Sequence, residues 1–172
     1  MKLSGAVSLP AAPAQVWALL TDAQRLACLL PGCERLDPDG PDCFKAVLKF
    51  GVAAISGKYA GSLRFLQLKP PHSLALQFDG RGLPGFVHGQ ARINLLRKGH
   101  GTELRYSGEA QIGGIVASVG QRLLDAAARK IVQQFFDAAA AELESAPPPA
   151  ESSSPAAPAS RPARAARNNK KR

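Results

Sequence analysis

The feature that most constrains this chain is a long series of strand patterns in residues 43 to 112, where apolar and polar side chains alternate. In residues 43 to 50, for example, Phe44 and Phe50 belong to one face and Lys45 and Lys49 to the other. Alternation with a period of two, kept over this many residues, predicts an antiparallel sheet with one apolar face and one face toward water.

The inward positions of this predicted sheet carry little side-chain volume. Glycine or alanine replaces a large side chain at five of them, namely Gly61, Gly89, Ala91, Gly108 and Ala110. Protein interiors are packed as densely as organic crystals, so a sheet of this kind leaves space beneath the element that covers it. The pattern therefore predicts a binding cavity.

The flanking segments predict the elements that surround the sheet. Residues 2 to 9 alternate as a strand, a helix begins near Pro13, and a second short helix is capped by Asp22 and ends at Pro31. Further strands are predicted at about 34 to 36, 43 to 50, 57 to 68, 73 to 79, 86 to 97 and 102 to 111. Residues 115 to 143 change to a helical period, with an apolar stripe formed by Val116, Val119, Leu123, Ala127, Ile131 and Phe135.

The composition divides the chain into a ligand-binding domain, residues 1 to 145, and a tail, residues 146 to 172. The tail is rich in Ala, Pro and Ser and has no bulky apolar residue to bury, which predicts disorder. Its only acid is Glu151, and its six basic residues are Arg161, Arg164, Arg167, Lys170, Lys171 and Arg172. Five of the nine excess positive charges of the chain therefore lie in the tail.

This charge predicts an anionic partner for the tail. An anionic membrane surface is favoured, although a partner protein and nucleic acid stay open at this point. Nucleic acid is the least favoured, because the tail has no aromatic side chains on which bases could stack. No apolar run is long enough to cross a bilayer and the first residues do not resemble a signal peptide. We therefore expect a cytoplasmic protein, peripheral on the inner face of the cell membrane.

The sequence does not place catalytic chemistry on the inward face. The acidic residues of the strands and the long helix fall at outward positions, and no nucleophile is paired with a base. The cysteines match no common zinc spacing and lie apart from the histidines: Cys28, Cys33 and Cys43 against His72, His88 and His100. We expect no enzyme activity, no metal and no covalently bound cofactor.

The hairpin loops indicate where a ligand would enter. Successive loops of a meander fall at alternate ends, and the loops at one end are polar. At the other end, residues 51 to 57, 80 to 86 and 113 to 115 carry apolar residues between glycines, and this end is the predicted mouth. The expected mouth residues are Val52, Ile55, Leu83 and Ile115. The alternative is that these residues fold back as plugs and leave a filled interior.

The large inward-facing side chains are the predicted lining of the cavity. They are Trp17, Phe50, Tyr59, Phe65, Phe78, Phe86, Tyr106 and Phe135. Two of them, Tyr59 and Tyr106, bring a hydroxyl into an otherwise apolar interior and could orient a carbonyl or hydroxyl group of a ligand.

The predicted order of strand, two short helices, six strands and long helix is similar to the α+β helix-grip fold of the START-like (SRPBCC) superfamily. In that fold a curved antiparallel sheet, here of about seven strands, wraps around a long C-terminal helix. Several segments further resemble the CoxG family, which is associated with aerobic carbon monoxide dehydrogenase. They are Met1 to Gly5, Pro13 to Asp22, Leu30 to Glu34, Gly57 to Gly61, Ala110 to Gly114, Gly120 to Asp125 and Phe135-Phe136.

The resemblance implies a non-catalytic accessory of a molybdenum hydroxylase complex, acting in enzyme recruitment at the membrane or in handling a lipophilic acceptor such as a quinone. With the predicted cavity, it favours a carrier for a lipophilic small molecule, a quinone or another isoprenoid lipid, that docks reversibly through its basic tail. A scaffold that tethers a partner enzyme to the membrane without carrying a ligand is the alternative.

Overall fold

The computed structural model describes residues 1–51 and 55–146, which form one antiparallel sheet, three α-helices and a short 3-10 helix. The strands are β1 (Lys2–Leu9), β2 (Cys33–Pro38), β3 (Cys43–Phe50), β4 (Gly57–Lys69), β5 (Ser73–Gly82), β6 (Gly85–Lys98) and β7 (Gly101–Gly113). The helices are α1 (Pro13–Thr21), α2 (Ala23–Leu29), the 3-10 helix (Ile115–Val119) and α3 (Gln121–Ser145). The expected tail, beyond Ala146, and the mouth residue Val52 lie outside the described residues.

The strands are ordered β1-β7-β6-β5-β4-β3-β2 in the sheet, and every neighbouring pair is antiparallel. Six strands follow one another as a meander, and β1 joins the open edge of β7, where Leu3 lies opposite Gly108. The two edge strands β1 and β2 are thus connected by α1 and α2. This architecture confirms the predicted α+β helix-grip fold with two short helices after the first strand.

The strand register gathers the small inward residues into a band across the concave face. Gly61 of β4 lies between Ala46 of β3 and Gly80 of β5, and Ala91 of β6 lies opposite Gly108 of β7. Because paired residues of neighbouring strands point to the same face, this band lowers the side-chain volume in the middle of the sheet.

The surroundings of two glycines in this band, Gly61 and Gly80, differ. A Cβ added to Gly61 would run into the main-chain carbonyl of Asp79, so glycine is needed there for the close approach of two strands. A Cβ added to Gly80 would meet Val87 and Tyr59 at 3.4 and 3.7 Å, which are ordinary contacts. The prediction that Gly61 simply leaves a side chain out is therefore incomplete, whereas Gly80 does adjoin free space.

Local signals place α1 and α2 as predicted. Pro13 is the first residue of α1, where its missing N–H and fixed φ are tolerated. The side chain of Asp22 accepts hydrogen bonds from the N–H groups of Gln24 (2.9 Å) and Arg25 (3.0 Å) and so caps α2.

The start of the long helix corrects the sequence prediction. Residues 115 to 119 form a separate 3-10 helix, and α3 begins only at Gln121, because Gly120 takes a φ of 91° that cannot continue a helix. The predicted stripe is correct at Val116, Ala127, Ile131 and Phe135, which line the cavity, and wrong at Leu123. Leu124 is buried, while Leu123 is 54% exposed.

The well-packed core occupies the end of the sheet near the β4–β5 and β6–β7 hairpins. There α1, α2 and the C-terminal half of α3 cover the strands, and the buried set includes Leu9, Val16, Leu19, Leu74, Leu95, Leu104, Phe136, Ala139 and Leu143. Within this region the hydroxyl of Thr102 donates a buried hydrogen bond of 2.7 Å to the carbonyl of Ala11. Among the residues described, we find no helix with the length and apolar character needed to span a bilayer.

Candidate binding site

An apolar cavity of about 410 Å³ lies between the concave face of the sheet and the N-terminal half of α3. Its walls come from all seven strands, from α1 and α2, and from one side of α3, which contributes Leu124, Ala128, Ile131 and Val132. The lining surface is almost entirely apolar. The volume lies within the range of about 300–1,000 Å³ that is usual for pockets binding small molecules.

The structure brings together most of the side chains predicted to line a cavity. Seven of the eight contribute to its wall, namely Phe50, Tyr59, Phe65, Phe78, Phe86, Tyr106 and Phe135. The rings are arranged in tilted pairs at Phe50–Tyr59 (5.9 Å between centroids) and at Tyr106–Phe136 (5.2 Å). The aromatic side chains of four strands and of α3 therefore converge on one space, whereas Phe86 of β6 lies on the outer face and only borders it.

Three predicted site residues do not line this space. Trp17 packs against the hydrophobic core instead, because α1 presents Leu20, almost one turn further along the helix, to the cavity. Leu83 and Ile115 point into solvent, with exposed fractions of 100% and 74%. Of the predicted mouth residues, Ile55 contributes to the wall.

Sequence reasoning missed part of the wall. The second aromatic of α3, Phe136, lies beside Phe135 with 5.3 Å between ring centroids. Both line the cavity, whereas the predicted stripe contained Phe135 alone. The aliphatic lining of α1, α2 and β2 was also missed, and it comprises Leu20, Leu26, Leu30, Pro31 and Leu36. Their apolar periodicity was visible, but no sequence signal separates a cavity wall from a core.

The β5–β6 hairpin and the 3-10 helix meet at one end of the cavity, as predicted for the mouth. The N–H of Val116 donates a hydrogen bond of 2.8 Å to the carbonyl of Pro84, and the ring of Phe86 covers Gly113. The register places Phe86 on the outer face with Arg81, and its ring is 44% exposed, so it borders the cavity at this end without filling it. The interior is thus not filled by plugs from these loops.

The hydroxyl of Tyr59 is the distinctive polar group of the wall. It is buried and makes no hydrogen bond with any residue in the described ranges 1–51 and 55–146. Burial raises the pKa of Tyr59, so this hydroxyl keeps its proton at neutral pH. An unsatisfied buried hydroxyl destabilises a protein, so a molecule in the cavity that offers a hydrogen-bond acceptor to Tyr59 would be stabilised there.

Charged groups contribute almost nothing to the lining surface, although Asp79 and Glu109 adjoin the cavity. Glu103 is held on the outer face by Lys98 and Arg105, whose hydrogen bonds keep the pKa of its carboxyl below the usual range. His88 is exposed on the same face, opposite Asp79. Within residues 1–51 and 55–146, no three His, Cys, Asp or Glu side chains are close enough together to hold a metal ion.

The cysteine side chains are free thiols in the structure. Cys33 donates a weak hydrogen bond of 3.4 Å from its Sγ to the carbonyl of Arg35. Desolvation by burial raises the pKa of its thiol, which is the opposite of what a nucleophilic or metal-binding thiolate needs.

A seven-stranded sheet folded against a long helix, with an apolar cavity between them, defines a helix-grip protein built around an internal apolar space. The family model for CoxG, described as a subunit of carbon monoxide dehydrogenase, matches residues 5–144. The chain belongs to the CoxG family, which associates it with an accessory role beside a carbon monoxide dehydrogenase.

Solved structures support this assignment. A conserved protein from Geobacillus kaustophilus is 34% identical, with a TM-score of 0.82, over 84% of this chain and 95% of that one. A protein from Chromobacterium violaceum (20% identity, TM-score 0.64, 83% and 96% covered) shares the fold. So does a protein from Rhizobium leguminosarum (12% identity, TM-score 0.66, 84% and 94% covered). A comparison with curated proteins finds no match to this chain.

Proposed function

We propose that this protein is a non-catalytic carrier of a lipophilic small molecule, a quinone or a related isoprenoid lipid, that serves a molybdenum hydroxylase of the carbon monoxide dehydrogenase type. The single observation that carries the proposal is the apolar cavity of about 410 Å³ with the unpartnered Tyr59 hydroxyl in its wall. Family membership supports the choice of the partner enzyme.

The chemistry of the cavity favours a quinone over a plain hydrocarbon. An apolar wall removes a water-averse ring and isoprenoid chain from solvent, at about 25 cal/mol for each Å² of apolar surface buried. The protonated Tyr59 hydroxyl would donate a hydrogen bond to a quinone carbonyl oxygen, which a saturated hydrocarbon lacks. Tyr106, across the cavity on β7, is a second group able to contact the ring or its carbonyl.

Replacing Tyr59 by phenylalanine tests this proposal with two opposite readouts. Without ligand, Tyr59→Phe is expected to raise the free energy of unfolding by about 1 kcal/mol, because a buried hydroxyl without a partner is removed. With a short-chain menaquinone or ubiquinone, the variant is expected to bind about fivefold more weakly, because the donor is lost. Urea denaturation and thermal shifts with added quinone measure the two effects.

The matched control for the stability measurement is the same substitution at Tyr106, which is not a buried hydroxyl lacking a partner. A second control is a naphthalene compound with the same side chain and no carbonyl. Tyr59→Phe should leave the affinity for this compound unchanged. Organic extraction of the purified full-length protein, followed by mass spectrometry, should also recover a lipophile. The carrier function fails if extraction recovers none and quinones produce no thermal shift, which would leave the scaffold alternative.

The proposed function includes reversible docking on an anionic membrane through the basic tail. Each basic residue near such a surface contributes about 1 kcal/mol, so a net charge of +5 contributes at most about 5 kcal/mol. Replacing the six basic tail residues by glutamine should weaken binding to phosphatidylglycerol vesicles at low salt. The difference from wild type should vanish near 1 M salt, where the Debye length is about 3 Å. Equal binding at low salt would contradict this part of the proposal.

A further inference from the structure

Residues 1–51 and 55–146 also carry an exposed apolar surface, at the end of the sheet toward which the cavity lies. We call it the apolar tip, and define it as Leu83, Phe86 and Ile115 together with Leu123 at the start of α3. All four are exposed, and Leu83 at the turn of the β5–β6 hairpin is fully so. The hydrogen bond from Val116 to Pro84 holds the hairpin and the 3-10 helix side by side.

The two segments that supply the apolar tip carry only positive charge. Residues 80 to 87 and 113 to 124 supply the tip, and the charged residues among them are Arg81 and Arg122. Both are exposed, and neither segment contains an acid. Exposed apolar side chains next to cations are the combination that places a surface in the boundary between lipid headgroups and acyl chains.

The opposite end of the sheet differs from the apolar tip in its charged residues. Its β2–β3 turn contains Asp39 and Asp42, and Glu103 lies beside the β6–β7 hairpin. Asp39 and Glu103 are paired with Lys45 and Lys98 there, so this end differs from the apolar tip in presenting charges of both signs.

We propose that the apolar tip docks on anionic lipid bilayers and brings this end of the cavity against the acyl chains. Leu83 and Ile115 enter the apolar region, and Arg81 and Arg122 contact the headgroups. This inference rests on the proposed carrier function for its purpose, but the docking surface itself is a property of the folded domain and does not require the tail. A lipophile would then move between bilayer and cavity at this end without crossing water.

The test uses the full-length protein and vesicles of phosphatidylcholine with phosphatidylglycerol, at about 1 M salt to suppress binding through the tail. The variant is Leu83→Asp with Ile115→Asp. The control is Leu66→Asp with Leu96→Asp, which adds the same charges at two outer-face leucines of comparable character, 47% and 43% exposed, near the other end of the sheet. Flotation should show about tenfold weaker binding for the tip variant and wild-type binding for the control.

A second measurement separates this proposal from the carrier function. The tip side chains Leu83 and Ile115 are not in the cavity wall, so the tip variant should still bind a short-chain quinone added from solution. Failure of the wild-type protein to bind quinone would refute the carrier function while leaving the docking result unaffected. Equal vesicle binding by the tip variant and the control would overturn membrane docking. This would hold even if the tip variant had lost the ability to bind a partner protein.

Discussion

Replacing Ala128 by phenylalanine is expected to reduce the affinity of the protein for a quinone by about fivefold to hundredfold. Ala128 lies in the cavity wall on α3, next to Leu124 and Ile131 along the same side of the helix. A benzyl group there would take up space that the ligand needs, and overpacking of this kind costs about 1–3 kcal/mol. Without ligand the new ring would fill a void, so the stability of the empty protein should not fall by a comparable amount.

The matched control is Ala126→Phe, two residues away on the exposed side of the same helix. Both substitutions carry the same small loss of helix propensity, about 0.5 kcal/mol, so a comparison of the two isolates the occupation of the cavity. Isothermal titration with a short-chain quinone measures the affinities. Unchanged affinity in Ala128→Phe would mean that the ligand, if one binds, lies elsewhere.

Substituting Gly61 by alanine is expected to lower the free energy of unfolding by about 1–3 kcal/mol or more. The new Cβ would be directed at the carbonyl of Asp79 on the neighbouring strand, and main chain cannot move aside as a flexible side chain can. Strands β4 and β5 would have to separate, which weakens their hydrogen bonds in the middle of the sheet.

The control for this substitution lies directly across the strand pair. Gly80 is opposite Gly61, and alanine there would make ordinary contacts at 3.4 and 3.7 Å. Gly80→Ala should be neutral or stabilising by about 0.4–1 kcal/mol, because it reduces the freedom of the unfolded chain. Urea denaturation measures both variants, and equal stability of the two would show that the close approach at Gly61 is not a constraint.

Most of the sheet could be predicted from the sequence because one physical rule governs all its strands. With one face buried, a shift of one residue would expose the whole apolar set, so alternation determines which residues face inward. The predicted strands of residues 43 to 111 agree with the structure to within a few residues at each end. Aromatic side chains at inward positions, such as Phe78 and Tyr106, therefore line the cavity as expected.

The region between β7 and α3 could not be predicted in the same way. Apolar residues at steps of three or four run through residues 116 to 135, and a single helix satisfies that pattern. The interruption depends on the backbone of Gly114 and Gly120, which both take a positive φ. Glycine permits that conformation but does not require it, so the exposed position of Leu123 followed only from the structure.

The sequence also does not show whether the Tyr59 hydroxyl has a hydrogen-bond partner. The alternation shows that Tyr59 faces inward, but a hydrogen-bond partner is supplied or withheld by residues far away in the chain. A buried tyrosine usually finds such a partner, so the expected case was a satisfied hydroxyl. The same limit applies to Trp17, because α1 packs against both the core and the cavity and only its orientation decides which one each side chain meets.

The close-packed side chains are gathered near one end of the sheet, and the void lies near the other, so resistance to opening varies along the same strands. Amide protons near Leu74 and Leu104 should exchange with solvent only when the whole domain unfolds. Those near Gly80 and Phe86 should exchange through smaller, local fluctuations. The sheet can therefore open locally at one end while the other end of every strand stays in place, as the proposed carrier function would require.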